Sequence, residues 1–256
     1  MKVFPLACSF DNYSYLLVCE QTGLCAVVDP TEAYPVWQKA EGLSVHLTKV
    51  FCTHHHHDHI GGLADLLDEQ PDLEVYGFHS DEARIVDMTH TLRNGDSVQI
   101  GEQTGKVLHS PGHTSGSVCY HFDGHLFTGD TLFGGGCGRL FEGSPEQMHS
   151  SLNKIQALPE STKIYFGHEY SETNMAFAMT VEAENPLVRE RFNRVKELVK
   201  LAFPTAPSTL IDEKQTNPFL RCDSPLIRES LGENARTCSD VEVFRLLRER
   251  RNRFTL

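Results

Sequence analysis

An α/β fold of layered sheets, followed by a smaller and mainly helical unit, is what this sequence predicts. Three observations carry the prediction. Short β-prone runs bounded by turn residues recur through the first two-thirds of the chain with few helical stretches between them, the pattern of stacked sheets. Beyond about residue 170 the apolar spacing becomes helical and strand alternation disappears, which divides the chain into residues 1–169 and 170–256. The 256 residues suffice for one large domain or for a medium domain plus a smaller one.

Taken in order, residues 13–19 form a β run, Gln21-Thr22-Gly23 turns the chain, and 24–28 returns it to close on Asp29-Pro30 as an N-terminal hairpin. An apolar stretch at 47–52 leads into a histidine-rich loop, and an amphipathic segment at 60–67 follows. Further strands are expected at 73–76, 97–100, 105–108, 117–122, 125–128 and 163–166, with a helix at 145–158. In the last third, 172–184 and 187–201 carry helical spacing on either side of Asn185-Pro186. Residues 203–225 hold Pro204, Pro207, Pro218 and Pro225 with little periodicity and read as an ordered but irregular connection. Ser239 followed by Glu242 fits a capping box, starting a last helix on which Val241, Phe244, Leu247 and Arg248 share a face.

The most informative run is Thr53-His54-His55-His56-His57-Asp58-His59-Ile60-Gly61-Gly62, in a strand-to-helix loop of the kind that positions functional side chains. Alternation along an extended chain sends His54 and His56 to one side and His55 and His57 to the other, so the working pattern is His-x-His-x-Asp-His. An expression tag would sit at a terminus and lack the internal Asp. Three later motifs set a ligand type beside glycine: His113 in Pro111-Gly112-His113-Thr114, Asp130 in Thr128-Gly129-Asp130-Thr131, and His168 in Phe166-Gly167-His168-Glu169-Tyr170. Together these residues suit two divalent cations. His54, His56 and His113 would hold the first, Asp58, His59 and His168 the second, and Asp130 would bridge them. Imidazole and carboxylate donors fit zinc, with iron and manganese as alternatives, and availability decides among them.

Composition limits the partners. A formal net charge of −12 argues against a general nucleic-acid binder, which needs clustered Lys and Arg over a broad face. The eight cysteines (Cys8, Cys19, Cys25, Cys52, Cys119, Cys137, Cys222 and Cys238) form no Cys-x-x-Cys pair and suit reduced thiols. No apolar run approaches the ~18 residues of a membrane span, and the N-terminus lacks an apolar targeting core. The expectation is a cytoplasmic monomer that binds neither membrane nor nucleic acid.

The combination Thr-His-x-His-x-Asp-His, Pro-Gly-His-Thr, Gly-Asp-Thr-Leu-Phe and Gly-His-Glu-Tyr, in this order over essentially the whole chain, resembles the metallo-β-lactamase superfamily and, within it, the glyoxalase II (hydroxyacylglutathione hydrolase) family. The resemblance implies an αββα sandwich for the first domain, with a helical C-terminal domain. It also implies hydrolysis of S-D-lactoylglutathione to D-lactate and glutathione, the second step of methylglyoxal detoxification. In such a site two cations sharing a water or hydroxide lower its pKa and supply a nucleophile at neutral pH. Asp58 would orient that nucleophile, and the thiolate leaving group, with a thiol reference pKa of about 8.5, departs without a dedicated acid. Cys137 has no identifiable base partner and is not expected to act as a nucleophile.

Glutathione brings two carboxylates, so its site needs cations. Arg245, Arg248, Arg250, Arg251 and Arg253 crowd the end of the last helix, with only Glu249 opposing them. Such cations also complement a helix dipole, but the resemblance favours binding, with Arg248 and Arg251 at the family's basic pair; many members have Lys at the second position. It likewise gives Arg139 and Phe141, in the glycine-rich run 134–143, and Tyr170 as glutathione contacts, with Phe141 lacking a hydroxyl that some members carry. A glutathione persulfide dioxygenase, a metal-dependent nuclease of the same superfamily and a non-catalytic metalloprotein are the competing readings.

Overall fold

In the computed structural model, which describes residues 1–256, the chain packs as two units: residues 1–109 with 115–129, and residues 110–114 with 130–256. The first contains β1 (Lys2–Cys8), β2 (Asn12–Val18), β3 (Leu24–Val28), α1 (Ala33–Leu43), β4 (His46–Phe51), α2 (His57–Ile60), α3 (Leu63–Glu69), β5 (Glu74–Phe78), β6 (His90–Leu92), β7 (Ser97–Ile100), β8 (Gln103–His109), β9 (Val118–Phe122) and β10 (His125–Gly129).

Strands β1 to β6 form one sheet in sequence order, antiparallel from β1 to β3 and parallel from β3 to β6. The parallel pairs require crossovers, which α1 supplies between β3 and β4 and α2 with α3 between β4 and β5. Strands β10, β9, β8 and β7 are antiparallel neighbours in the second sheet. The two sheets meet through aromatic rings. Tyr15 lies 5.6 Å from Phe127, Phe51 lies 5.1 Å from Tyr120, and the Tyr120 hydroxyl donates to the Cys52 carbonyl at 2.8 Å. Tilted ring pairs of this kind contribute about 0.5–1.5 kcal/mol each beyond their buried area. The other face of the first sheet buries Leu16, Val27 and Val50 against Val36 of α1 and Leu63 and Leu66 of α3. With both faces covered, β2 is buried at every position, and its polar members Asn12 and Ser14 are hydrogen-bonded, to the Asp58 and Asp29 carbonyls.

The second unit contains β11 (Leu132–Phe133), β12 (Gly136–Cys137), α4 (Pro145–Gln156), β13 (Lys163–Phe166), α5 (Ser171–Val181), α6 (Pro186–Lys200), β14 (Ser208–Thr209), α7 (Leu210–Thr216), α8 (Pro225–Ser230) and α9 (Asp240–Asn252). Helix α4 starts with a complete capping box, in which Ser144 and Gln147 each bond the other's backbone N–H, and Pro145 fills the first turn. Asn185 caps α6 by accepting from Leu187 N at 3.0 Å, ahead of Pro186. Met175 and Ala178 of α5 pack on Val188 and Val195 of α6. Phe219 meets Phe177 of α5 and Phe244 of α9 at 6.1 and 5.7 Å. No helix is long and apolar enough to cross a membrane.

Several expectations need correction. Strand β1 is absent from the sequence reading because Pro5 lies within it; the strand tolerates proline because it is the edge of its sheet. Helix α1 was obscured by Pro35 and Gly42, yet Pro35 falls in the first turn, where its missing N–H costs nothing. The three-residue β6 is too short to show a pattern. The amphipathic segment at 60–67 is two helices, α2 and α3, interrupted at Gly61 and Gly62. The connection at 203–225 holds α7, which Thr209 caps by accepting from Asp212 N. The last box is half made: Ser239 accepts from Glu242 N, but the Glu242 carboxylate turns to Arg245. Val243, not Val241, joins Phe244, Leu247 and Arg248 on the buried face of α9.

Candidate metal centre

The first unit brings His54, His56, Asp58 and His59 together on the loop after β4 and on α2. The acceptors around the rings fix their protons. Asp29 accepts from Thr53 N and from the Thr53 hydroxyl, both at 2.7 Å, so the Thr53 oxygen is left to accept from His54 Nδ1 at 3.0 Å. His54 Nε2 is then a lone pair, and it lies 3.1 Å from His56 Nδ1. Two imidazole nitrogens so placed either share a proton or serve one cation. Asp29 also accepts from His59 Nδ1 at 2.9 Å, which leaves His59 Nε2 unprotonated and 4.0 Å from Asp58 Oδ2. One ligand atom from each of Asp29, His54 and His59 lies within 4.8 Å of the others. The Asp29 oxygens already serve Thr53 and His59, however, so Asp29 orients the ligands instead of joining them. Asp58 is held at its main chain, where its carbonyl accepts from Asn12 Nδ2 at 3.0 Å and from Thr31 Oγ1 at 2.6 Å, while its side chain stays 50% exposed. His55 faces away and meets Asp81 and Arg84. Gly129 ends β10 with a φ of +46°, and a Cβ there would fall 2.3 Å from Thr53 Oγ1; the glycine of Gly-Asp-Thr is thus required by the loop beneath it.

The second unit brings His113, Asp130 and His168 together. Asp130 presents one carboxylate oxygen to each ring: Oδ2 lies 3.3 Å from His113 Nε2, and Oδ1 lies 3.5 Å from His168 Nε2. His113 donates Nδ1–H to the Arg139 carbonyl at 2.9 Å, so its Nε2 carries the lone pair. His168 is fixed by aromatic rings, stacked on Tyr170 with centroids 4.8 Å apart and edge-on to Phe133 at 6.0 Å. A carboxylate with each oxygen facing a separate imidazole is the arrangement expected of a bridging ligand, and the donor chemistry of both units fits a pair of divalent cations.

The residues expected to bind glutathione also lie in this unit. Phe141 sits edge-on to His113 at 5.2 Å and is exposed, as is Arg139. Arg248 is buried, donates from Nη1 to the Cys137 carbonyl at 2.7 Å and stands 5.1 Å over the Phe219 ring. Arg251 donates to Asn174 Oδ1 from Nε and Nη2, at 3.2 and 3.1 Å. Burial, reinforced by Arg248 and Arg139, lowers the Arg251 pKa to about 10. Arg245 is engaged elsewhere, with Glu242 and Glu249, and Arg250 bonds the Ser230 carbonyl. Burial pushes the Cys137 thiol up, against the thiolate a nucleophile needs.

Residues 10–168 match the family model of the metallo-β-lactamase superfamily, and residues 169–254 match that of the hydroxyacylglutathione hydrolase C-terminus. The hydroxyacylglutathione hydrolase of Synechococcus sp. (strain JA-3-3Ab) is 46% identical over 256 residues, covering 99% of this chain and 100% of that protein. The chain belongs to the hydroxyacylglutathione hydrolase family. The Thermosynechococcus vestitus hydroxyacylglutathione hydrolase is 45% identical with the same coverage. Among solved structures, ETHE1 from Myxococcus xanthus matches with a TM-score of 0.69 at 26% identity, over 97% of this chain and 90% of that one. The expected fold class is therefore the observed one, an α/β metallo-β-lactamase fold with a C-terminal helical domain.

Sequence reasoning missed Asp29, Thr53 and Asn12 as supports of the ligands. In the sequence Asp29 marks only the end of a hairpin, and it lies 30 positions from His59, so no local spacing links them. Its φ of +51°, uncommon for a residue with a side chain, is visible only in the structure.

Proposed function

We propose that this chain hydrolyses S-D-lactoylglutathione and related 2-hydroxyacylglutathione thioesters to the free hydroxy acid and glutathione, in the second step of methylglyoxal detoxification. His54, His56 and His113 hold one divalent cation, Asp58, His59 and His168 hold the other, and Asp130 bridges them; zinc is the proposed metal. The single observation that carries the reading is the Asp130 carboxylate, one oxygen to each of two imidazoles that a backbone carbonyl and an aromatic stack hold in place. Bound there, the two cations supply an activated water at neutral pH and positive charge for the oxygen that becomes negative during attack.

The remaining work belongs to the chain. Asp58, anchored by Asn12 and Thr31 but with a half-exposed carboxylate, accepts a hydrogen bond from the attacking water and aims it at the thioester carbonyl. The departing sulfur leaves as a thiolate, with a thiol reference pKa of about 8.5, so no acid needs to be found among the residues. Arg139, Arg248 and Arg251 gather positive charge in a chain of net charge −12, and Phe141 and Tyr170 supply apolar faces to the tripeptide. Arg251 is already partly stripped of water, so a substrate carboxylate restores an interaction that burial removed. Residues 1–169 would act as the catalytic domain and 170–256 as the substrate-binding domain, in a cytoplasmic monomer. Eight free cysteines suit that reducing compartment.

The test is S-D-lactoylglutathione hydrolysis by the purified protein as isolated, after metal removal and after restoration, with bound metal counted each time. About two ions per chain and turnover that follows them are expected. A fully metallated protein with no turnover overturns the reading.

A further inference from the structure

The β11–β12 hairpin joins the residues proposed to meet glutathione, yet it has little means of holding its own shape. Its two pairs, Leu132 with Cys137 and Phe133 with Gly136, form a ladder too short to be stable alone. Its turn contains Gly135 at a φ of +70°, where a Cβ would fall 2.5 Å from Met175 Sδ.

Side chains from other elements hold it. Gly135 N–H donates to Glu213 Oε2 at 2.9 Å, and Asn217 Nδ2 donates to the Gly136 carbonyl at 3.0 Å and the Phe133 carbonyl at 3.4 Å. Asn217 Nδ2 also reaches Glu213 Oε2 at 3.0 Å, so the two side chains form one unit. Both residues are fully buried. The second Glu213 oxygen accepts from Ser208 Oγ at 2.6 Å and from Arg191, which is itself buried, so the carboxylate is fully engaged. Further along, Phe133 contacts the His168 and Tyr170 rings, Cys137 O meets Arg248, and the Arg139 carbonyl fixes His113.

We propose that Glu213 and Asn217 are positioning residues for substrate recognition, holding the hairpin in the register at which Arg139, Phe141 and Arg248 meet the glutathione half. The inference rests on the thioesterase reading above. A buried carboxylate–amide pair that served only its own helix would place its bonds on α7 and its neighbours; here three of its bonds go to hairpin backbone.

Asn217→Ser keeps an oxygen near Phe219 N, which Asn217 Oδ1 now caps at 3.0 Å, and removes the two donors to the hairpin. Glu213→Gln keeps shape and removes the charge. Each variant is assayed for metal content, kcat and KM with S-D-lactoylglutathione, and glutathione alone is titrated calorimetrically. KM and the glutathione Kd should rise together by about 10-fold, with kcat changed by less than about 3-fold and the metal count unchanged. If Glu213→Gln fails to fold because Arg191 is left unpaired, Asn217→Ser decides alone. A folded Asn217→Ser protein with a lower Tm but unchanged KM and glutathione Kd overturns the inference. Wild-type protein that is fully metallated, binds glutathione and yet hydrolyses nothing overturns the thioesterase reading instead, while the variants' glutathione Kd still decides the role of the pair.

Discussion

The two sets of candidate ligands are held by different means. In the first unit four ligands lie within residues 54–59, and one buried carboxylate, Asp29, orients two of them, directly at His59 and through Thr53 at His54. In the second unit His113, Asp130 and His168 come from three separate loops, and the two rings are oriented by a backbone carbonyl and by a pair of aromatic rings. A compact ligand loop needs one anchor beneath it, because chain alternation already sorts its side chains. Dispersed ligands need a scaffold, and the scaffold can also carry substrate contacts. The difference predicts that damage to the first unit is read mainly in metal binding, whereas damage to the second is divided between metal and substrate.

The largest effect should come from Asp130, the one residue assigned to both cations. Asp130→Ala should lose metal and turnover together, turnover falling on the order of 10³-fold. Metal analysis and kinetics on the same sample check this, and normal metal content with normal turnover would remove the bridging assignment. A smaller effect is expected at Asp29. Asp29→Asn keeps the shape but weakens the charge-assisted bonds to Thr53 and His59, and metal affinity measured by chelator competition should fall about 10–100-fold. KM should stay unchanged in the remetallated protein. A changed KM with unchanged metal affinity would erase the contrast between the two units.

The same contrast explains what the sequence reveals. The candidate ligands stand out in the sequence because each is a metal-binding residue type within a tight or glycine-bounded motif, and the strands at 97–100 and 163–166 coincide with β7 and β13 because turn residues bound them. What lies behind the ligands is silent. Asp29 reaches His59, and Glu213 reaches Gly135, across sequence separations of 30 and 78 residues, and no periodicity encodes such pairs. Helix α7 hid among prolines whose spacing suggests irregular chain, although Thr209 provides a cap that could have flagged its start. Val243 takes the place of Val241 on the buried face of α9 because the two valines, two positions apart, flank the stripe of Phe244, Leu247 and Arg248 on opposite edges, and only the neighbours choose which edge is covered.

The smallest effect, and the sharpest test of the contrast, concerns the charge that the second unit carries. Arg251 has its pKa lowered from the ordinary arginine value to about 10, first by burial and then by repulsion from Arg248 and Arg139. A base whose folded pKa lies below its unfolded one is penalised while charged, so the penalty is fully present below about pH 10 and is relieved as pH rises from there toward the ordinary arginine range. At neutral pH the fold therefore bears it in full. Arg251→Met, which keeps the apolar stem and removes the charge, should stabilise the protein by on the order of 1 kcal/mol after discounting for solvent screening of a half-buried group, and raise Tm by a few degrees. The same substitution should raise KM for the glutathione thioester several-fold and leave metal content unaltered. A Tm that falls would show that the bonds to Asn174 outweigh the buried charge, and an unchanged KM would return Arg251 to the helix end as an ordinary surface cation.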